Sequence, residues 1–250
     1  CYSTYGGSGV LATELGKLLA ARGHEVHFIT RDLPYRLQNT FHQNLLFHPV
    51  DMLEYPLFGD SAYPLALAAK MAEVVRREKL DLLHVHYAIP HATSAILARQ
   101  MLAPIKIPII TTLHGTDITL VGKNSSFTEV TEFSINQSDA ISVVSEFLKK
   151  DTHAFFTIKK ELEVIPNFVD ADLFVPAGEK VPCTQFLGEN HGTVFVHISN
   201  FRPVKRTLDV IHAFQKIHSE EENVTLLMVG DGPDLTAVSY THLRAHETRI

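Results

Sequence analysis

The chain has 250 residues, 45% hydrophobic and 20% charged, the composition of a soluble globular protein with room for one large or two ordinary domains. A formal net charge of -6 argues against general nucleic-acid binding, and the basic cluster Arg202, Lys205 and Arg206 is too short for a duplex footprint. Two cysteines, Cys1 and Cys183, cannot form a disulfide framework, so a reducing cytoplasm is the default compartment, and no apolar run approaches the roughly 18 residues of a membrane helix.

In chain order, Gly6-Gly7-Ser8-Gly9 opens a predicted helix from Gly9 to about Arg22, with Val10, Leu11, Leu15, Leu18 and Leu19 on its buried side and Gly23 as its stop. A strand is expected over Glu25–Thr30, a shorter one near Leu45–Val50, and a long helix over Ala62–Glu78. The strand Leu80–His86 leads to a helix over Pro90–Met101, and the strand Pro108–Leu113 to a helix near Phe127–Gln137. Strands over Asp139–Val144 and Glu161–Ile165 complete this half. Short apolar strands alternating with helices imply a parallel sheet covered on both faces. The glycine loop has no strand before it in the sequence, so a gap is expected in the first sheet, with backbone groups lacking partners.

A polar stretch rich in Gly and Pro then interrupts the pattern, and alternation restarts with an apolar run, Thr193–Ile198, that reads as a buried strand. A basic loop, Ser199–Arg206, a helix from Thr207 to Ile217 and a strand over Val224–Val229 follow. The organisation read from this is an α/β domain over 1–175, a linker over 176–192, the start of a second α/β domain over 193–237, and a non-native, adapter-like tail over 238–250. Two such domains create a cleft between their carboxyl edges.

Several constellations carry chemistry. The basic loop sits between a strand and a helix, where open α/β sheets bind ligands and a helix N-terminus favours anions; a diphosphate is the guest it fits. The glycine loop could admit an anion or serve close packing, and it is neither a complete G-x-G-x-x-G fingerprint nor a Walker loop. His84 and His86 share a face of one strand and read as cleft-edge histidines rather than zinc ligands, with Tyr87 beside them at the strand end. His114-Gly115-Thr116-Asp117 could hydrogen-bond sugar hydroxyls or hold itself as a local turn, and Asn167 could serve the cleft or cap a turn. Gly230-Asp231-Gly232 is a turn whose place beside the basic loop suits a ligand-facing role.

In this order, Gly6-Gly7-Ser8-Gly9, His114-Gly115-Thr116-Asp117, Val164-Ile165-Pro166-Asn167, Arg202 with Lys205, and Gly230-Asp231-Gly232 together resemble glycosyltransferase family 4, over about residues 1–237. Within that family, Tyr5–Gly16, His84–His91 and Ser199–Arg206 are similar to the members that join GlcNAc to L-malate in bacillithiol biosynthesis. The resemblance implies the GT-B fold, two Rossmann-like domains with parallel sheets facing a cleft that holds a nucleotide-sugar donor. It implies a retaining, UDP-GlcNAc-dependent transfer to the malate hydroxyl in the cytoplasm, without a metal or other cofactor, and leaves assembly into a homo-oligomer open.

By the same resemblance Arg202 and Lys205 would grip the diphosphate and neutralise charge as UDP leaves, and His114 would contact the transferred sugar. Gly7 and Ser8 would lie near donor phosphate and acceptor, Tyr87 and Thr116 would meet the acceptor, and Asn167 and Gly230 would line the substrate site. No protein general base is assigned, since retention in the family is ascribed to same-face attack assisted by the leaving phosphate. The family also implies a paired-glutamate segment beyond Gly232-Pro233, which these residues do not supply, and the chain by itself is therefore expected to be inactive. The rival readings are another family 4 transferase with a different donor or acceptor, a nucleotide-sugar epimerase, and a non-catalytic nucleotide-sugar-binding module. The incomplete dinucleotide fingerprint disfavours a Rossmann oxidoreductase.

Overall fold

The structure, a computed structural model, describes residues 1–3, 6–52, 62–175 and 192–244. Tyr5, Cys183, residues 176–191 of the expected linker and residues 245–250 of the expected tail lie outside those described. The chain divides into two compact units, Cys1–Leu173 and Phe174–Ile250.

The first unit carries α1 (Gly7–Ala21), β1 (Val26–Thr30), β2 (Leu45–Pro49), α2 (Tyr63–Glu78), β3 (Leu83–His86), α3 (Thr93–Leu102), β4 (Ile109–Leu113), α4 (Thr128–Gln137), β5 (Ala140–Val143), α5 (Glu146–Phe155) and β6 (Glu163–Val164). Every pairing is parallel, in two pieces: β1 with β2, and β3-β4-β5-β6 in chain order. Where the pieces part, Val26–Ile29 of β1 and Leu83–His86 of β3 line one cavity of about 500 Å³, which α1 borders through Ala12, Leu15, Gly16 and Leu19. The core of this unit gathers Leu67, Met71 and Val75 of α2 and the alanines of α3 against Leu83, Val85 and Ile109. A second cluster sets Ile135 of α4 and Leu148 of α5 against Leu113, Ile141 and Val143.

Two sequence expectations change here. The buried face of α1 is made of Ser8, Gly9, Ala12, Thr13, Gly16 and Ala20, while Leu18 is exposed and Leu15 and Leu19 are only partly covered. The reason is close approach: a Cβ on Gly16 would fall 2.4 Å from Phe28 Cζ, so small residues set the distance between α1 and β1. Helix α5 was not anticipated. Its start is marked by Ser145, whose Oγ accepts from Leu148 N at 3.1 Å, with Glu146 in the first turn, a capping signal that the sequence does contain.

A polar chain pins α2 to β1 and β2. The Arg77 guanidinium donates to His48 Nδ1 at 3.0 Å, and His27 Nδ1 lies 2.8 Å from His48 Nε2. Since a guanidinium only donates, neutral His48 carries its proton on Nε2 and passes it toward His27, whose own Nε2–H donates to Glu25 at 2.8 Å. Burial lowers the His48 pKa, with the charges of His27 and Arg77 acting the same way.

The second unit carries β7 (Thr193–Ile198), α6 (Thr207–Glu220), β8 (Val224–Val229) and α7 (Leu235–Arg244), with β7 and β8 parallel. Its core is Phe201, Ile211, Leu226, Met228 and Val238. The buried strand expected over Thr193–Ile198 is largely exposed, Ile198 at 74%. Among the described residues it pairs only with β8, so its faces are not enclosed as a central strand's would be. The helix α7 also runs across the boundary at which a non-native tail was expected. Val238 is fully buried, one helical step beyond Leu235, which packs on the same cluster.

Candidate active site

In the first unit the site is built where β3 and β4 end side by side, His86 in register with Thr112. After β3 the backbone turns sharply: Tyr87 takes φ 86°, a left-handed conformation that costs a non-glycine residue strain, while its N–H donates to Thr112 O at 2.9 Å. The π-type turn Ala88–Ala92 follows, and His91 Nδ1–H donates to His86 O at 2.7 Å. After β4, Gly115 at φ +116° lets the chain fold back so that Asp117 turns inward, 1% exposed.

The result is a stack of rings at the sheet edge. His84 and His86 lie 4.7 Å apart, His86 and His114 5.1 Å, and Tyr87 and His114 5.3 Å, centroid to centroid. His86 Nδ1 and His114 Nε2 are 2.9 Å apart and share one proton. His84 Nε2 reaches Thr112 Oγ1 at 2.8 Å, which in turn reaches Ser142 on β5. Tyr2 packs edge-on against Tyr87 and His91. Among the described residues no three His, Cys, Asp or Glu side chains are grouped to hold a metal ion.

Burial holds these histidines neutral. It lowers His84 and His114 to about 4, and His86 and His91 well below their usual value, the neighbouring histidines adding to the effect on His86 and His114. Asp117 moves the other way, to about 6, because burial outweighs the backbone N–H groups it accepts from.

The signs oppose. A histidine whose pKa falls on folding binds fewer protons when native, so stability drops as pH falls below the unfolded value of about 6.5. An aspartate whose pKa rises from about 3.8 to 6 favours the native state toward acid within that window. Four histidines against one aspartate leave acid destabilising. The urea midpoint of the first unit is expected to be clearly lower at pH 5 than at pH 7; an equal or higher midpoint at pH 5 contradicts neutral burial of the cluster.

Gly7 and Ser8 open α1. Ser8 is buried, whereas a Cβ on Gly7 would meet nothing within 4 Å, so crowding inside the chain does not require glycine there. The Gly6 cap offers no side chain to the first-turn N–H groups, and no acidic residue stands among them. Among the described residues no side chain caps these amides. Within the loop, Ser8 and Gly9 are buried, while Gly7 is exposed.

In the second unit, β7 and β8 bring the basic loop beside Gly230-Asp231-Gly232. Ser199 N donates to Val229 O at 3.1 Å, Phe201 N to Asp231 O at 2.8 Å, and Asp234 N to Phe201 O at 3.0 Å. Phe201 is sealed in the core at 1% exposure and so anchors the exposed Arg202 next to it. A short 3₁₀ turn, Pro203–Lys205, and Arg206 at φ 50° then deliver the chain into α6. The three cations are not equivalent. Arg206 is tied to Asp209, whereas no carboxylate among the described residues pairs with Arg202 or Lys205. Packing requires glycine at 230, since a Cβ there would fall 1.8 Å from Ser199 O, in the loop that leads to Arg202.

The other predicted residues are placed as follows. Thr116 is exposed beside His114, while the Asp117 carboxylate is turned away from solvent, so this motif offers an imidazole and a hydroxyl but no carboxylate. Asn167 is exposed after β6, and it is Asp170 that caps the local turn, accepting from Asp172 N and Leu173 N. Sequence reasoning missed His91 as part of the assembly, and for Asp117 it foresaw the local turn but not the bond to Ala88 N. Alternating strand positions flagged His84 and His86, but nothing in the sequence marks a turn that brings His91 back under them.

The model of Glycosyltransferase Family 4 matches residues 5–173, which is nearly the whole first unit. The chain belongs to glycosyltransferase family 4. It is 47% identical over 238 residues to the N-acetyl-α-D-glucosaminyl L-malate synthase of Bacillus anthracis, an alignment that covers 95% of this chain and 62% of that protein. An uncharacterized glycosyltransferase of Methanocaldococcus jannaschii is 26% identical over 155 residues, covering 62% of this chain and 41% of that protein. The chain thus spans less than two thirds of the length of these relatives. Among solved structures, Anabaena HepE in complex with UDP-glucose superposes with a TM-score of 0.70 at 15% identity, covering 97% of this chain and 62% of that one. The sucrose-phosphate synthase of Thermosynechococcus elongatus gives a TM-score of 0.66 at 16% identity, covering 92% of this chain and 58% of that one. These likenesses show the α/β fold of GT-B glycosyltransferases.

Proposed function

We propose that these residues belong to a retaining glycosyltransferase that moves GlcNAc from UDP-GlcNAc to the hydroxyl of L-malate, a step of bacillithiol biosynthesis. The observation that carries the reading is 47% identity across 95% of the chain to a protein named for that product. The geometry agrees with it at three points. Arg202 and Lys205, exposed and free of carboxylate partners among the described residues, neutralise the diphosphate and the charge that grows on it as the bond to the sugar breaks. His114, held neutral, presents an imidazole nitrogen or N–H to the transferred sugar, with Tyr87 and Thr116 beside it for the acceptor. The uncapped amides at Gly7 and Ser8 suit a phosphate or the malate carboxylates.

On this reading the chemistry needs neither a metal nor a protein base: the leaving phosphate takes the proton of the attacking hydroxyl on the same face. The protein works in the cytoplasm; no helix among the described residues is long and apolar enough to cross a membrane. The test is UDP release by the full-length natural protein, given UDP-GlcNAc and a panel of hydroxy acids. Release with malate and not with the others supports the assignment, and release with another acceptor alone replaces it with a different family 4 reaction.

The glycine loop gives a second, sharper test. Gly7→Ala adds a methyl group into space that is empty in the chain, so stability is expected to change by no more than about 0.5 kcal/mol. Turnover should nevertheless fall by about tenfold or more, because that methyl stands where an anion would approach the helix amides. Full activity in Gly7→Ala would remove the loop from the substrate site.

A further inference from the structure

We propose that Asp117 is a positioning residue: its buried carboxylate ties the turn after β3 to the loop after β4, and so holds Tyr87 and His114 in one arrangement. The two oxygens divide the work. Oδ1 accepts from His114 N at 3.2 Å and Gly115 N at 2.9 Å, both in the loop after β4. Oδ2 accepts from Ala88 N at 3.2 Å, in the turn after β3 and 29 residues away. Ala88 is itself fully buried, so its N–H has no recourse to water.

This arrangement needs an acid. An asparagine offers one accepting oxygen, and its amide N–H₂ would confront either Ala88 N–H or the two loop N–H groups. A side chain that only closed the local turn would need only one of these two sets of bonds. The backbone of Asp117 is fixed as well: its carbonyl accepts from Gly122 N at 2.9 Å, and a Cβ on Gly122 would approach that carbonyl to 2.4 Å. Held on both sides, the carboxylate joins the two loops that bear Tyr87 and His114, whose rings lie 5.3 Å apart. The titratable groups of this region are the Cys1 amino group, lowered to about 5 by burial, Tyr2 near the chain start, His84, His86 and Tyr87 on and after β3, His91 in the turn, and His114 after β4; the pKa of Tyr2 is raised by burial first and then by Tyr87 and Asp117.

The inference rests on the transferase reading only for its kinetic arm. In the 250-residue chain, amide exchange and NMR are compared between wild type and Asp117→Asn. The Ala88 amide should exchange about tenfold faster or more in the variant, with the His114 ring signals displaced and the Leu226 amide of the second unit unchanged. Unchanged exchange at Ala88 overturns the proposal. In wild type, the Ala88, His114 and Gly115 amide signals should move together with one midpoint near pH 6, and separate midpoints overturn it even if the variant does not fold. In the full-length protein Asp117→Asn should lower kcat by about 100-fold while KM for UDP-GlcNAc moves little, since the donor phosphates are held elsewhere. An unchanged kcat contradicts the positioning role. Failure of the wild-type protein to transfer GlcNAc would count against the transferase reading, and the exchange result would still decide the role of Asp117.

Discussion

Replacing Arg202 or Lys205 by alanine is expected to lower kcat/KM for UDP-GlcNAc by about 10²- to 10³-fold, the scale seen when a preorganised group that meets developing charge is removed. The physical basis is the state of the two side chains. Both are exposed, and neither is matched by a carboxylate among the described residues, so no internal partner must be given up when a diphosphate binds. Arg206 is the built-in control: it already pairs with Asp209, and its alanine variant should cost far less. The charge on the β-phosphate grows as the sugar departs, so loss of a cation should appear in kcat as well as in KM. The double variant is expected to fall short of the summed single effects, because on the proposed function both cations serve one dianion. Neither single variant should alter the denaturant midpoint of the chain, since both side chains are solvated. Unchanged donor kinetics in both would refute the phosphate role.

Gly230→Ala is expected to act through structure and activity together. The added Cβ would fall 1.8 Å from Ser199 O and 2.9 Å from Phe201 Cε1, and the backbone there has φ +153°. Carbonyl oxygens do not yield by that distance without moving the strand end, so about 3 kcal/mol of stability should be lost from the second unit, the upper end for overpacking. The same displacement strains Ser199 N to Val229 O and Phe201 N to Asp231 O, the bonds that set Arg202 in place. Denaturation with tryptophan-free probes such as far-UV circular dichroism suits a chain with no Trp, and activity of the folded variant should also fall. A Gly230→Ala protein of wild-type stability would mean that β7 and β8 end differently.

Much of the first unit was legible in the sequence because its strands are apolar runs bounded by turn residues, and such runs can be read locally. The strands β1, β3, β4 and β5 fall inside the spans expected for them, and α2 and α4 lie within one residue of their expected starts. The faces of α1 were misread because large leucines usually point inward, whereas here Gly16 and Ala12 are what let the helix approach Phe28. Exposure of β7 could not be foreseen, since an apolar run records what a strand can bury, not what covers it. At the site, residue types were readable and their division of labour was not. His114-Gly115-Thr116-Asp117 looked equally like a sugar contact and a self-contained turn. The structure splits it: Thr116 is exposed, His114 joins the ring stack, and the buried Asp117 holds a loop 29 residues distant. Such a pairing has no local signature.

The most direct measurement is NMR of the product that the full-length natural protein forms from UDP-GlcNAc and L-malate. The account predicts a single new α-linked GlcNAc–malate glycoside, formed in step with UDP and without added metal. A β-linked glycoside, an epimerised free sugar, or donor binding with no malate-dependent UDP release would contradict it.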